Sequence, residues 1–147
     1  DVADFDTVVM ENNYVQCNRV HNVMRYHDDG AGIYTLGRQG NSRSGDSHSR
    51  IRENYIHDIQ RAPIAGSSPI AGIYNDQGSN LIRVERNVIV NVDKGYNLNT
   101  KSSSGIVYIE KDSNDAAVIA KAGIQDLAAH GDGQESEREA HVSSRHE

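Results

Sequence analysis

Tryptophan is absent from this 147-residue chain and cysteine occurs once, at Cys17. A lone thiol excludes an internal disulfide, and its place between Val15 and Asn18 reads as a core or turn position rather than a reactive one. Long apolar runs are missing too. No stretch reaches the roughly 20 residues that a membrane-crossing helix needs. The N-terminus lacks the charged and apolar pattern of a secretory signal, so the sequence names no compartment. Apolar residues make up 36 % of the chain and the mean hydropathy is −0.68, low for a compact globule. A net charge of −6 argues against nucleic acid or an anionic membrane as the main partner, because both would repel it. The length fits one domain.

What the chain does have is repetition. Ala31-Gly32-Ile33-Tyr34 returns as Ala71-Gly72-Ile73-Tyr74, with a degenerate third copy expected at Gly105-Ile106-Val107-Tyr108. A second signature, apolar-x-x-Asn-x-apolar-x-x-apolar, occurs at Val15, Asn18, Val20, Val23, again at Ile51, Asn54, Ile56, Ile59, and again at Val84, Asn87, Ile89, Val92. Such units are too small to bury their own apolar face, so stacked neighbours must supply the core. Between them lie the segments from Arg38 to Ser49, Arg61 to Ile70 and Asp93 to Ser104, rich in turn formers and read as variable loops. A constant coil with variable loops is the pattern of a right-handed parallel β-helix, here of about three to four coils over residues 1–124. Asn18, Asn54 and Asn87 are expected to form a ladder at the turn between two strands, where Asn tolerates a left-handed backbone and bonds its neighbours above and below.

In chain order, a strand is expected at Val8-Val9-Met10, ending at Asn12-Asn13, so the solenoid begins without a cap. Two readings follow: a C-terminal part of a longer protein, or an open end covered by another chain. Met24 to Gly37 is the segment densest in chemically able groups, with His27, Asp28, Asp29 and Tyr34 beside small residues; the alternative is a polar turn with its Asp residues capping amides. His57 repeats the place of His21, but Val90 follows at that offset, leaving no third metal ligand. Lys94 to Lys101 is read either as a solvated loop or as a source of Asn and Lys for sugar hydroxyls and carboxylates. Ala116 to Ala129 is expected to be a final strand and a short capping helix. The part after residue 124 is read as the end of the cap and a polar tail, disordered from His130 to Glu147.

The series from His27 to Gly37, then Ile51-Arg52-Glu53-Asn54-Tyr55-Ile56-His57-Asp58-Ile59, then Gly72-Ile73-Tyr74-Asn75-Asp76-Gln77-Gly78-Ser79 resembles the C-terminal half of bacterial right-handed β-helix carbohydrate-active proteins, among them glycoside hydrolases of the α-L-fucosidase and xylosidase kind. The closing Ile119 to Ile124 is similar to the end of that domain. The resemblance implies an oligo- or polysaccharide substrate, no cofactor, an extracytoplasmic or secreted location, and catalytic carboxylates at Asp29 and Asp76. Asp29 is the expected acid, with its pKa raised by Asp28. Asp28, His27, Tyr34, Tyr74 and Gln77 are expected to contact substrate. Run straight, the strands would hold the two carboxylates more than about 20 Å apart, so a bend at Gly30-Ala31-Gly32 is required. Two alternatives stay open. One is a polysaccharide lyase or uronate epimerase, with a base or carboxylate partner among Lys101, Lys111 and Arg38 and Ca²⁺ held by Asp28, Asp29 and Asp76. The other is a solenoid that binds glycans or builds a surface without catalysis.

Overall fold

The computed structural model describes residues 10–40, 48–111 and 113–125. Among them are ten short strands and one helix: β1 (Tyr14–Gln16), β2 (Arg19–His21), β3 (Gly30–Thr35), β4 (Ser49–Arg52), β5 (Tyr55–Ile59), β6 (Ile70–Asn75), β7 (Asn80–Glu85), β8 (Val88–Val92), β9 (Tyr96–Leu98), β10 (Ser104–Ile109) and α1 (Ala116–Lys121). The strands form three sheets that the chain visits in rotation. Sheet A is ordered β1-β4-β7-β10, sheet B β2-β5-β8 and sheet C β3-β6-β9, and every pairing is parallel. The fold is therefore all-β, and its rotation through three parallel sheets is compatible with a β-helix.

Like residues stack on like. Val15, Ile51 and Val84 share one register position in sheet A, Val20, Ile56 and Ile89 one in sheet B, and Ile33 and Ile73 one in sheet C. The buried centre is Ile51, Ile56, Ile59, Ile70, Ile73, Ile82 and Val84, drawn from all three sheets. Burying each such side chain stabilises the fold by about 1.5–3 kcal/mol. No strand pairs with another strand of its own repeat, so this core arises only between stacked repeats.

The expected asparagine ladder is present. Asn18 Nδ2 donates to Asn54 Oδ1 at 3.0 Å and Asn54 Nδ2 to Asn87 Oδ1 at 2.9 Å, while the backbone amides of Asn18 and Asn54 donate to the same two oxygens. The left-handed residue of this turn is not the Asn. It is the residue before it: Cys17, Glu53 and Arg86, with φ of 56°, 52° and 49°. These share no side-chain type, so the backbone requirement is met by the turn as a whole while the Asn side chain satisfies the freed amides.

Glycine also forms a column, for a steric reason. A Cβ on Gly32 would lie 2.8 Å from Ile59 and 2.9 Å from Ile56, and one on Gly72 would lie 2.6 Å from Ile89 and 2.9 Å from the Gly95 carbonyl oxygen. Large Ile side chains of sheet B thus occupy the space that side chains at these sheet C positions would need.

Three expectations are corrected. The third Gly-Ile-Tyr copy is not Gly105 to Tyr108, because β10 pairs with β7 in sheet A, Ile106 facing Ile82. Its place in sheet C is taken by Gly95-Tyr96-Asn97, where Ile73 faces Tyr96 and Gly72 N donates to Lys94 O at 2.8 Å. Strand β9 therefore lies inside the Asp93–Ser104 stretch read as loop. At the C-terminal side, residues from Ala116 are helical from the start instead of forming a strand first. Asp115 caps α1 by accepting from Ala117 N at 2.8 Å, and Arg86 donates to Asp115 at 2.7 Å while also pairing with Glu53 and Glu110. At the N-terminal side, Met10 to Asn13 are outside any strand and β1 starts at Tyr14; Val8, Val9 and the tail after residue 125 lie outside the described residues.

Candidate functional site

The two central strands of sheet C place Asp76. β3 and β6 run in register from Gly30 facing Ile70 to Thr35 facing Asn75, and Asp76 follows β6 directly. Its amide donates to Thr35 O at 2.8 Å, so the turn starts from a fixed backbone. The carboxylate, 8 % exposed, is surrounded by donors. Tyr34 donates its hydroxyl to Oδ2, Asn99 Nδ2 donates to Oδ1 at 2.8 Å and Gln77 N to Oδ1 at 2.7 Å, with the Tyr74 hydroxyl bonding as well. Burial pushes the Asp76 carboxyl up, but the bonds from Tyr34, Gln77, Asn99 and Tyr74 outweigh it and hold the group below its ordinary value. The same arrangement, burial first and then Asp76, raises the Tyr34 phenol well above the ordinary range, and Tyr74 shifts the same way.

The two tyrosines differ in what they offer. Tyr34 is 39 % exposed, whereas Tyr74 is 4 % exposed and meets Tyr34 edge to face at a centroid distance of 5.2 Å. Tyr74 has no face free for a sugar ring; it braces Tyr34 and adds a bond to Asp76. Behind them a polar network ties the coil together. Thr35 Oγ1 bonds Ser79 Oγ at 2.9 Å, Asn75 Nδ2 donates to Thr35 Oγ1 at 3.0 Å, and Tyr108 of β10 donates to Asn75 Oδ1 at 3.0 Å.

Beside Asp76 lies a groove of about 500 Å³ whose lining includes Gly37, Arg38, Gln77, Asn80 and Ser102. Asn80 shapes it by accepting from Gln39 N at 2.7 Å and donating to Gly40 O at 3.0 Å, which clamps the chain after Arg38. Gln77 is exposed at the rim.

The other sequence candidates divide. Asp29 sits at φ 59° just before β3, and its charge helps raise both the Tyr34 and the Tyr74 phenol, so it acts on the same tyrosines that bond Asp76. Asp28 turns to the loop instead. Ser68 N donates to its Oδ2 at 2.8 Å, and that bond is the main cause holding the carboxyl below its ordinary value. A Cβ on Gly66 would collide with this carboxylate, so Asp28 packs closely on the second loop and anchors it. His27 is exposed. Among the described residues no three His, Cys, Asp or Glu side chains are grouped to hold a metal ion, and Asp28, Asp29 and Asp76 are not such a group. Lys111, a base in the lyase reading, lies over the Tyr96 and Tyr108 rings at 5.1 and 5.7 Å.

Sequence reasoning did not find Asn99, Thr35 or Ser103 as partners of Asp76. Asn99 lies 23 residues away, and only the hidden strand β9 brings it back to the Asp76 turn, where Asn99 N donates to Asn75 O at 3.0 Å. Finding Gly95-Tyr96 as the third Gly-Ile-Tyr would have placed it. No family model, curated protein or solved structure matches the chain.

Proposed function

We propose that the three sheets form a right-handed parallel β-helix and that the sheet C face around Asp76 is the carbohydrate site of a glycoside-hydrolase-type protein. What supports this hand is that each strand returns to its own sheet beside its predecessor, in parallel, through a crossover, and such crossovers are right-handed in the great majority of folds. The observation that carries the site is the buried Asp76 carboxylate, bonded by Tyr34, beside the exposed Tyr34 ring and the groove that Gln77 and Ser102 help to line.

In this reading Asp76 is the ionised base or nucleophile, because its donors stabilise the charged form. Asp29 is the acid that donates to the leaving oxygen, a role that requires the chain to bend within β3, since Asp29 precedes that strand while Asp76 follows its partner β6. Tyr34 offers its exposed ring to a sugar face, and the exposed Gln77 and Ser102 offer hydrogen bonds to hydroxyls. Assays on α-L-fucosides and xylosides test this. Asp76→Asn and Asp29→Asn should each lower turnover at least about 100-fold; either variant with unchanged turnover removes that residue from the chemistry.

One observation favours a second reading, a glycan-binding solenoid without catalysis. Four donors already meet the Asp76 carboxylate, leaving its lone pairs committed to the fold. Saccharide binding in calorimetry, with no product released on prolonged incubation, distinguishes this reading from the first.

A further inference from the structure

A second groove, of about 650 Å³, lies where the chain passes from sheet B to sheet C. Unequal loops build it. That connection spans 22–29 in the first repeat and 60–69 in the second, but only 93–95 in the third. The two long loops are tied together by Ser68 N donating to Asp28 and Gly30 N donating to Pro69 O at 3.0 Å. Within the second loop, Arg61 donates to the carbonyls of Gly66 and Ser68 and pairs with Asp93 at 3.6 Å. Three residues are too few to continue this wall, so Pro63 and Ile64 stand beside an open polar floor.

The floor is a register column, Asn22, Asp58 and Asn91, each with a left-handed backbone at φ 55°, 55° and 53°. A chain of hydrogen bonds orients it. His57 Nδ1 bonds Asp58 Oδ2 at 2.7 Å, Asn91 Nδ2 donates to Asp58 Oδ1, and Gln60 Nε2 donates to Asn91 Oδ1 at 2.6 Å. With those bonds made, Asn91 keeps one N–H, Gln60 keeps its oxygen and one N–H, and Asn22 keeps its oxygen. Above the floor are Tyr26, 72 % exposed, and Arg25, which makes no hydrogen bond or ion pair among the described residues.

We infer that this groove binds an acidic oligosaccharide, a uronate oligomer. The ring of Tyr26 stacks on a sugar face. The oriented amides of Gln60, Asn91 and Asn22 meet hydroxyls, and the guanidinium of Arg25 takes a carboxylate through paired N–H donors. An apolar ligand would strand those amides without partners, and a neutral sugar would leave Arg25 unused. The inference shares the saccharide class with the reading of the Asp76 face but none of its residues, so the two fail separately.

The test is a titration of the full chain, followed by proton–nitrogen correlation spectra, with short oligomers of galacturonate, mannuronate and guluronate at about 1 mM, and with the methyl ester of whichever binds. At least one acidic oligomer is expected to shift the side-chain amide signals of Gln60 and Asn91. The ester should bind about tenfold more weakly, and Arg25→Gln and Tyr26→Ala should each weaken binding at least about tenfold. Both residues are exposed, so dispersed spectra of the variants will show that they fold. No shift with any of the three oligomers, or an affinity unchanged in both variants, overturns the inference. Binding that survives Tyr26→Ala but is lost in Asp76→Asn also overturns it, and assigns the oligomer to the sheet C face.

Discussion

Replacing Asn54 with Ala tests whether the ladder holds the repeats together. The side chain is fully buried and makes four bonds: Oδ1 accepts from Asn18 N and Asn18 Nδ2, and Nδ2 donates to Val15 O and Asn87 Oδ1. At a net value of about 1 kcal/mol for each such bond, the loss is about 4 kcal/mol, a large share of the roughly 5–15 kcal/mol that keeps a domain folded. Asn18→Ala is the internal control. Asn18 is exposed, and its side chain gives up only the bonds to Gln16 O and Asn54 Oδ1, so the cost should be about 1 kcal/mol. Asn87→Ala removes three buried bonds and should fall between the two. Urea unfolding of the intact chain measures all three, with the denaturant slope expected to stay constant. Equal losses at Asn18 and Asn54 would refute the reasoning, since burial and bond count would then not govern the ladder.

Three further outcomes follow from the same structure. Gly72→Ala should destabilise by about 1–3 kcal/mol, because the Gly95 carbonyl oxygen is backbone and cannot swing away, while Gly95→Ala, with nothing within 4 Å of its Cβ, should stay within about 0.5 kcal/mol in the same urea assay. The Asp115 carboxyl is held below its ordinary value, first by the Arg86 bond and then by Ala117 N. Its contribution is complete above the unfolded value of about 3.9 and disappears as pH falls through the lower folded value; hydrogen exchange at Val118 should accelerate over that window and do so already at neutral pH in Asp115→Asn. In Asp76→Asn, alkaline titration of tyrosinate absorbance should show the Tyr34 phenol ionising at lower pH than in the parent protein, since the carboxylate that accepts its proton and repels its anion is gone; an unchanged titration would mean that burial and the remaining neighbours, not Asp76, set the shift.

The parts of the fold that were legible in the sequence are those where one residue type is required at every repeat. An amide side chain alone can accept from one coil and donate to the next, so Asn18, Asn54 and Asn87 mark the turn, and the β-branched columns of sheets A and B follow from their fixed offsets. What escaped reading depends on residues that need share nothing. Cys17, Glu53 and Arg86 occupy one left-handed position with three different side chains. Gly105-Ile106-Val107-Tyr108 matches the Gly-Ile-Tyr letters, but its glycine serves a backbone at φ 63° in sheet A, not the close approach of Ile89 that excludes a Cβ at Gly72. The Asp76 site was half visible for the same reason. Its position after the repeated strand could be read, whereas its donors Tyr34 and Asn99 lie 42 and 23 residues away and meet it only through the register of sheet C.

That register also explains why chemistry can vary here without endangering the fold. The ladder and the stacked apolar columns lie within the strands and the tight A-to-B turn, so each repeat is held by its neighbours whatever its B-to-C connection contains. Loop length is then free to change, and the step from ten residues at 60–69 to three at 93–95 opens a groove at no cost to the core. The Asp76 turn is different in kind. Its carboxylate bonds Tyr34 of the preceding repeat and Asn99 of the following segment, while Ser103 Oγ donates to its backbone oxygen at 3.1 Å. A residue so connected stiffens the C-to-A passage and holds its own charge at once, which couples the stability of that passage to the one ionised group the carbohydrate reading needs.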